Sequence, residues 1–147
     1  MNVLFVCHGN ICRSPLAEII LSSYVKSVDV CSRGFSEQEN RPAAKKVRDW
    51  ALNLGFDLSY HKSRKISLQD ISWSDIILYM DNGNRKRLLE IGSPSNRMQC
   101  LADYVGKNRI PDPNFMNKSS KEFDETLYLI LNAVKVLSST IVEKTNE

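Results

Sequence analysis

No apolar stretch in this sequence approaches the roughly 20 uninterrupted residues that span a bilayer, so membrane insertion is not expected. The apolar opening, Val3–Cys7, is too short for a secretion signal and has no basic residue ahead of it, which fits a cytoplasmic protein. Charge of one sign is also scarce: 20 Lys and Arg stand against 17 Asp and Glu, a net charge of +3. Nucleic-acid binders carry a stronger, clustered excess, and the basic runs here (Lys45, Lys46, Arg48; Arg85, Lys86, Arg87) fall on predicted helices beside acidic residues. No nucleic acid is expected as a partner; a small anionic substrate suits this charge. Four cysteines are too few for a disulfide scaffold of this size, so reduced thiols are the default and a conspicuous cysteine reads first as reactive. Six glycines and five prolines exclude a low-complexity chain.

What is present is a regular alternation of apolar segments along 147 residues, enough for one domain spanning 1–147. Val3–Val6 is a β-branched and aromatic run of the kind buried on both faces of a parallel sheet. Val28–Cys31 and Ile76–Met80 repeat it, and Met98–Leu101 is a weaker fourth strand. Between them, Leu16, Ile19, Ile20 and Tyr24 give one helical face, with Ser14 expected as its cap and Pro15 as its first residue. Pro42 is expected to open a second helix that Gly55 ends, and Asp81 or Asn82 a third that Gly92 ends. Residues 104–118 lack periodicity and read as a loop. Ser119-x-x-Glu122 then resembles a capping box, followed by a long stripe from Phe123 to Ile141. Strands alternating with helices predict a doubly wound α/β domain: a four-stranded parallel sheet with helices on both faces. Ligands of such sheets bind beyond the carboxyl ends of the strands, which singles out the segment Cys7–Ser14.

That segment reads Cys7-His8-Gly9-Asn10-Ile11-Cys12-Arg13-Ser14-Pro15 between a strand and a helix. The amides of Gly9 through Arg13 can curl into an anion-binding nest, with Gly9 expected to supply the unusual φ. The helix N-terminus adds positive potential, and Arg13 brings a planar fork for two phosphate oxygens. The same surroundings favour a thiolate at Cys7, in line for attack on a bound phosphorus, with Ser14 placed to donate to the sulfur. A zinc site is a poor rival, because Cys7 and Cys12 lack the usual spacing and His61 is the one histidine besides His8. No cofactor or metal is expected. A redox Cys-x-x-Cys motif is absent.

The loop resembles the phosphate-binding loop of the low-molecular-weight protein tyrosine phosphatases, Cys-x-Gly-Asn-Ile-Cys-Arg-Ser-Pro. The resemblance continues through Ser32-x-Gly34, His61-x-Ser63-Arg64, Met80-Asp81 and Asp112-Pro113. It implies a phosphocysteine on Cys7, a transition-state clamp in Arg13 and a proton donor in Asp112, with Asp103 next in line for that last role. It implies that Asn10, Ser14, Ser32 and His61 form the hydrogen-bond network that holds the loop, and that Cys12 protects an oxidised nucleophile. His8, Gly9, Ile11 and Cys12 would line the substrate site. The family usually has an apolar residue at His8 and an aromatic directly after Asp-Pro, where Asn114 stands; Phe35 and Phe115 are the candidate walls. Pro111-Asp112-Pro113 and Lys118-Ser119 are similar to bacterial members acting beside exopolysaccharide tyrosine kinases, which makes such a kinase and other phosphotyrosine proteins the implied partners. A monomer or weak dimer is expected. Arginine phosphatases that resemble this family carry Thr where this loop has Ile11. An arsenate reductase would need relay cysteines closer together than Cys31 and Cys100, and a binding module without turnover would not need Cys7, Arg13 and Asp112 together.

Overall fold

The computed structural model describes residues 1–145. Four parallel strands lie in the order β2-β1-β3-β4: β1 Asn2–Cys7, β2 Asp29–Gly34, β3 Ile76–Tyr79 and β4 Met98–Cys100. Among them run α1 (Arg13–Tyr24), α2 (Lys45–Asn53), α3 (Leu68–Trp73), α4 (Asn82–Glu90) and α5 (Lys121–Thr145). The chain leaves β1 toward β2 on one side and returns to the other side at β3. The order therefore reverses around β1, and the crevice beyond its carboxyl end is where such sheets bind ligands.

β1 is buried almost throughout, and its alternate residues serve two cores. Val3, Phe5 and Cys7 join Leu16, Ile20 and Leu21 of α1, Val47 and Ala51 of α2, and the α5 stripe Leu127, Ile130, Val134, Leu137 and Ile141. Leu4 and Val6 face the other way, onto Ile71 of α3, Leu88 of α4, Ile66 and Ile77. Fully burying such a side chain is worth about 1.5–3 kcal/mol, so the strand carrying the site is the most firmly held in the sheet. Helix α5 is long and apolar enough over Lys121–Lys144 to cross a membrane by length and composition alone, although no unbroken apolar run marks it in the sequence. Its apolar residues instead pack on one face against α1 and the first core.

Several boundaries differ from expectation for identifiable reasons. Helix α1 starts at Arg13 with Cys12 at the cap position, and Ser14 lies buried inside the first turn because its hydroxyl is engaged by the site. Helix α2 starts at Lys45 rather than Pro42, since the Ala44 amide is drawn outward to the Ile11 carbonyl at 2.8 Å. Helix α3 was not foreseen; a Ser67–Asp70 capping box starts it. The cap of α5 is Ser120, whose Oγ accepts from the Phe123 amide, while Ser119 is turned toward Asn117. β4 stops at Cys100, where Leu101–Val105 winds into a 3₁₀ turn, and the expected loop after it contains a second turn at Pro113–Phe115.

Candidate active site

The loop after β1 is shaped by what its carbonyls do. The His8 carbonyl accepts from the Phe35 and Ser36 amides (2.8 and 3.0 Å), and that of Ile11 from the Ala44 amide. The Gly9 carbonyl accepts from Arg41 Nη2 at 3.1 Å and the Asn10 carbonyl from His61 Nε2 at 2.6 Å. Four successive carbonyls are thus pulled outward into the protein. The amides that follow them, Gly9 through Cys12, consequently face the loop's interior, the Arg13 amide opens α1, and none of the five donates to a protein acceptor among the described residues. Helix α1 aims its N-terminus at the same place, with no side chain capping it and no acid in its first turn.

The left-handed residue is Asn10 (φ 56°), not Gly9. A Cβ on Gly9 would meet Arg41 Nη2 and Ile11 Cγ1 at 3.4 and 3.5 Å, ordinary contacts, so the expected role of Gly9 in the curl is corrected. Asparagine tolerates this conformation and here anchors it with its side chain. Its Nδ2 donates to Ser14 Oγ (2.8 Å) and Ser32 Oγ (2.9 Å), and its Oδ1 accepts from the Arg64 amide (2.9 Å). Gly34 is the glycine that matters: a Cβ there would lie 2.8 Å from Asn10 Cβ and 2.9 Å from the His8 carbonyl oxygen.

Cys7 ends β1 nearly buried, its Sγ 3.0 Å from Ser14 Oγ. Since Asn10 occupies a lone pair of that hydroxyl, the hydroxyl proton is free to point at the sulfur. Burial, together with Arg33, lowers the pKa of His61, against the opposing pull of its bond to Asn10. The ring is therefore neutral near pH 7, and because a carbonyl can only accept, Nε2 carries the hydrogen. Burial is also the main reason the Cys12 thiol is pushed up to about 12, with Cys7 and Asp112 adding to it.

Arg13 is 2% exposed. Its Nη1 donates to Asp81 Oδ2 (2.8 Å) and the Ile110 carbonyl (2.9 Å), Nη2 lies 3.8 Å from Asp112 Oδ2, and Nε has no protein partner among the described residues. Burial works against its charge, but Cys7, Asp81 and Asp112 outweigh it and raise its pKa. Asp81 uses its other oxygen to cap α4 through the Asn84 amide; burial opposes its charge, yet Arg13 and the Asn84 and Gly83 amides keep its pKa low. Asp112 stands opposite the loop, a third exposed, with Oδ1 accepting from the Asn114 amide.

The mouth is an open cleft of about 470 Å³ lined by His8, Gly9, Ile11, Cys12, Arg41, Asp112, Asn114 and Phe115, with Ser36, Glu37 and Gln38 at its edge. Phe115 is 92% exposed there and can wall a flat ring. Phe35 cannot. It is buried in the second core against Val6 and Ile66, with Arg87 over its ring at 5.1 Å, because the two amides bonded to His8 turn its side chain away from the cleft. Arg41, Lys46 and the Asp81 brace were missed as site residues; only Asp81 had a signal, in the Met80-Asp81 match. Among the described residues no group of three His, Cys, Asp or Glu is placed to hold a metal ion.

The family described as low molecular weight phosphotyrosine protein phosphatase matches residues 2–147. The chain is 33% identical over 134 residues to the low molecular weight protein-tyrosine-phosphatase Ptp of Acinetobacter johnsonii, covering 90% of this chain and 92% of that protein. It is 33% identical over 133 residues to the probable low molecular weight protein-tyrosine-phosphatase EpsP of Ralstonia nicotianae, covering 90% of each. Among solved structures, Wzb of Vibrio vulnificus in complex with benzylphosphonate superposes with a TM-score of 0.87 at 28% identity, over 95% of this chain and 97% of that one. The YwlE arginine phosphatase of Geobacillus stearothermophilus shares the fold, with a TM-score of 0.88 at 23% identity, over 97% and 94%. With a match over essentially its whole length, the chain belongs to the low molecular weight phosphotyrosine protein phosphatases, a family of phosphoric monoester hydrolases.

Proposed function

We propose that this protein hydrolyses phosphotyrosine in proteins through a phosphocysteine on Cys7, without a metal ion. The outward-bonded carbonyls of His8 through Ile11 carry the reading, since they leave a ring of inward amides above a buried sulfur. Three equatorial phosphate oxygens match those amides and the Arg13 fork, whose Nε is an unused donor. The Cys7 thiolate attacks phosphorus, the bond from phosphorus to the tyrosine oxygen breaks, and the Asp112 carboxyl gives its proton to the departing phenolate. Asp112, now a carboxylate, takes a proton from water as that water attacks the phosphocysteine. The S–P bond breaks, and the Ser14 hydroxyl at 3.0 Å steadies the returning thiolate.

Ile11 and Phe115 offer the apolar sides that a phenyl ring needs, which favours phosphotyrosine over phosphoarginine. The likeness around Asp112 supports an exopolysaccharide-linked tyrosine kinase as one substrate, and four free cysteines suit a reducing cytoplasm. Cys7→Ser should abolish turnover of a phosphotyrosine peptide while retaining competition by inorganic phosphate, because the amides and Arg13 remain. Arg13→Lys should lose most of kcat/KM, as a point charge cannot replace the fork. Activity near wild type in either variant, or a requirement for added metal, would defeat the proposal.

A further inference from the structure

The basic residue nearest the Asp112 turn that the catalytic scheme leaves unused is Lys46, on the first turn of α2. Its Nζ donates to the Asn114 carbonyl at 2.7 Å and the Met116 carbonyl at 2.6 Å, and lies 5.5 Å from the centre of the Phe123 ring. Those carbonyls flank the end of the 3₁₀ turn Pro113–Phe115, which Asp112 begins by accepting from the Asn114 amide at 3.0 Å. Asn114 is thus held from both ends, by Asp112 at its amide and by Lys46 at its carbonyl. Two residues before Lys46, the Ala44 amide bonds the Ile11 carbonyl of the phosphate loop at 2.8 Å. A three-residue stretch, Ala44 to Lys46, therefore ties the nucleophile's loop to the turn carrying the acid.

The placement is not one that α2 would choose for itself. A cation at a helix N-terminus opposes the macrodipole, and α2 has no acidic residue in its first turn. The Lys46 ammonium has no carboxylate partner among the described residues; its bonds are to the turn. Without it, the turn keeps its local bonds, the Asp112–Arg13 approach at 3.8 Å, and two long sulfur contacts, Cys12 Sγ to Asn114 Oδ1 at 4.0 Å and Thr126 Oγ1 to Met116 Sδ at 3.7 Å. We propose that Lys46 is a positioning residue for proton transfer, fixing the 112–116 turn against α2 so that Asp112 faces the leaving-group oxygen. This rests on the reading of Asp112 as the proton donor.

The test compares kcat/KM for phenyl phosphate, whose leaving group needs a proton, with that for 4-nitrophenyl phosphate, whose anion departs unaided. Wild type, Asp112→Asn, Lys46→Met and Lys46→Arg are measured in the full chain, with inhibition by inorganic phosphate and the melting temperature alongside. General acids typically contribute 100-fold or more, so a loosened one should cost Lys46→Met about tenfold on phenyl phosphate and much less on the nitrophenyl ester. Phosphate inhibition should not change, and Lys46→Arg, which can still reach both carbonyls, should recover most of the loss. Lys46→Gln, a neutral donor on a shorter stem, should fall between Met and Arg, and it replaces the Met variant if that one melts early. Equal losses on both esters, or none, beside an Asp112→Asn that keeps its leaving-group signature would overturn the role of Lys46. An Asp112→Asn variant that loses both esters equally would instead remove the reading on which that role stands.

Discussion

Replacing Asn10 by alanine should do more damage than any other single truncation in the loop outside Cys7 and Arg13. Three side-chain hydrogen bonds disappear, to Ser14, Ser32 and the Arg64 amide. At about 1 kcal/mol net for each neutral bond, that is about 3 kcal/mol, and a stranded Arg64 amide adds about 1 more. Alanine must also hold the left-handed φ of 56°, which costs it about 1–2 kcal/mol. The loss of about 5 kcal/mol compares with a total stability of about 5–15 kcal/mol for an ordinary domain. Asn10→Gly separates the terms. It loses the same bonds without the backbone strain, but its freer unfolded chain returns about 0.4–1 kcal/mol of that relief, so it should be only slightly more stable than the alanine variant. Asn10→Asp separates stability from chemistry. Its carboxylate can still accept from Arg64, but it draws the hydroxyl protons of Ser14 and Ser32 toward itself and away from the Cys7 sulfur. A hydrogen bond to a charged partner is worth about 1.5–3 kcal/mol, so kcat/KM should fall tenfold or more even where the fold survives. Urea unfolding curves and kcat/KM on a phosphotyrosine peptide read the two effects. An alanine variant within about 1 kcal/mol of wild type would refute the network's role in stability, that being the net worth of one such bond. An aspartate variant of near-native activity would refute the assignment of the Ser14 proton.

Because burial depresses the pKa of His61, the unfolded chain takes up a proton near pH 6.5 that the fold resists. Its stabilising effect should be complete above that pH and fade as pH falls toward the folded value; Glu18, whose pKa burial raises, works in the opposite sense. Urea midpoints of wild type and His61→Gln from pH 7.5 to 5 should converge on acidification, and parallel curves would contradict this. Mild peroxide should convert Cys7 to a sulfenic acid that the Cys12 thiol displaces, forming the disulfide and releasing water. With Cys12 at about 12, disulfide formation should quicken as pH rises, and Cys12→Ser should lose recovery by dithiothreitol; mass spectrometry showing only a sulfinic acid on Cys7 would return Cys12 to a packing role. Ile11→Thr should move selectivity toward phosphoarginine, since unpaired guanidinium donors against the wild-type isoleucine cost about 1–3 kcal/mol, about tenfold or more. A wild-type preference for phosphoarginine in matched peptides would overturn the substrate.

The strands and the loop that forms the candidate site were legible because each rests on local pattern. Val3–Val6 has the pattern of a strand buried on both sides, and Cys7 to Arg13 between a strand and a helix has the pattern of a loop suited to an anion. What escaped was set by long-range bonds. Gly9 looked like the source of the left-handed φ, yet Asn10 takes it; the resemblance implied its network with Ser14, Ser32 and His61, but not the Arg64 amide that its Oδ1 also holds. Phe35 looked like a pocket wall from its place in the following loop. Its own amide and that of Ser36 bond the His8 carbonyl, and these bonds send the ring into the core instead. Arg41 and Lys46 sit among ordinary surface charges, and only the fold brings them to the Gly9 and Asn114 carbonyls.

The loop keeps its shape through bonds made by its carbonyls. A ring of inward amides is electrostatically unfavourable by itself, since parallel N–H dipoles repel and lack acceptors. Here each is made the less costly alternative, because turning an amide outward means pulling the preceding carbonyl off its partner. Those partners come from different parts of the chain: the start of β2's exit loop for His8, Arg41 for Gly9, His61 for Asn10 and Ala44 for Ile11. Losing one anchor leaves the others, whereas a side chain at Gly34 would press on two loop residues at once: its Cβ would lie 2.8 Å from Asn10 Cβ and 2.9 Å from the His8 carbonyl oxygen. The protein's own bonds therefore fix the loop's shape, and for the proposed phosphotyrosine substrate the ordering cost of binding would fall on the substrate rather than on the protein.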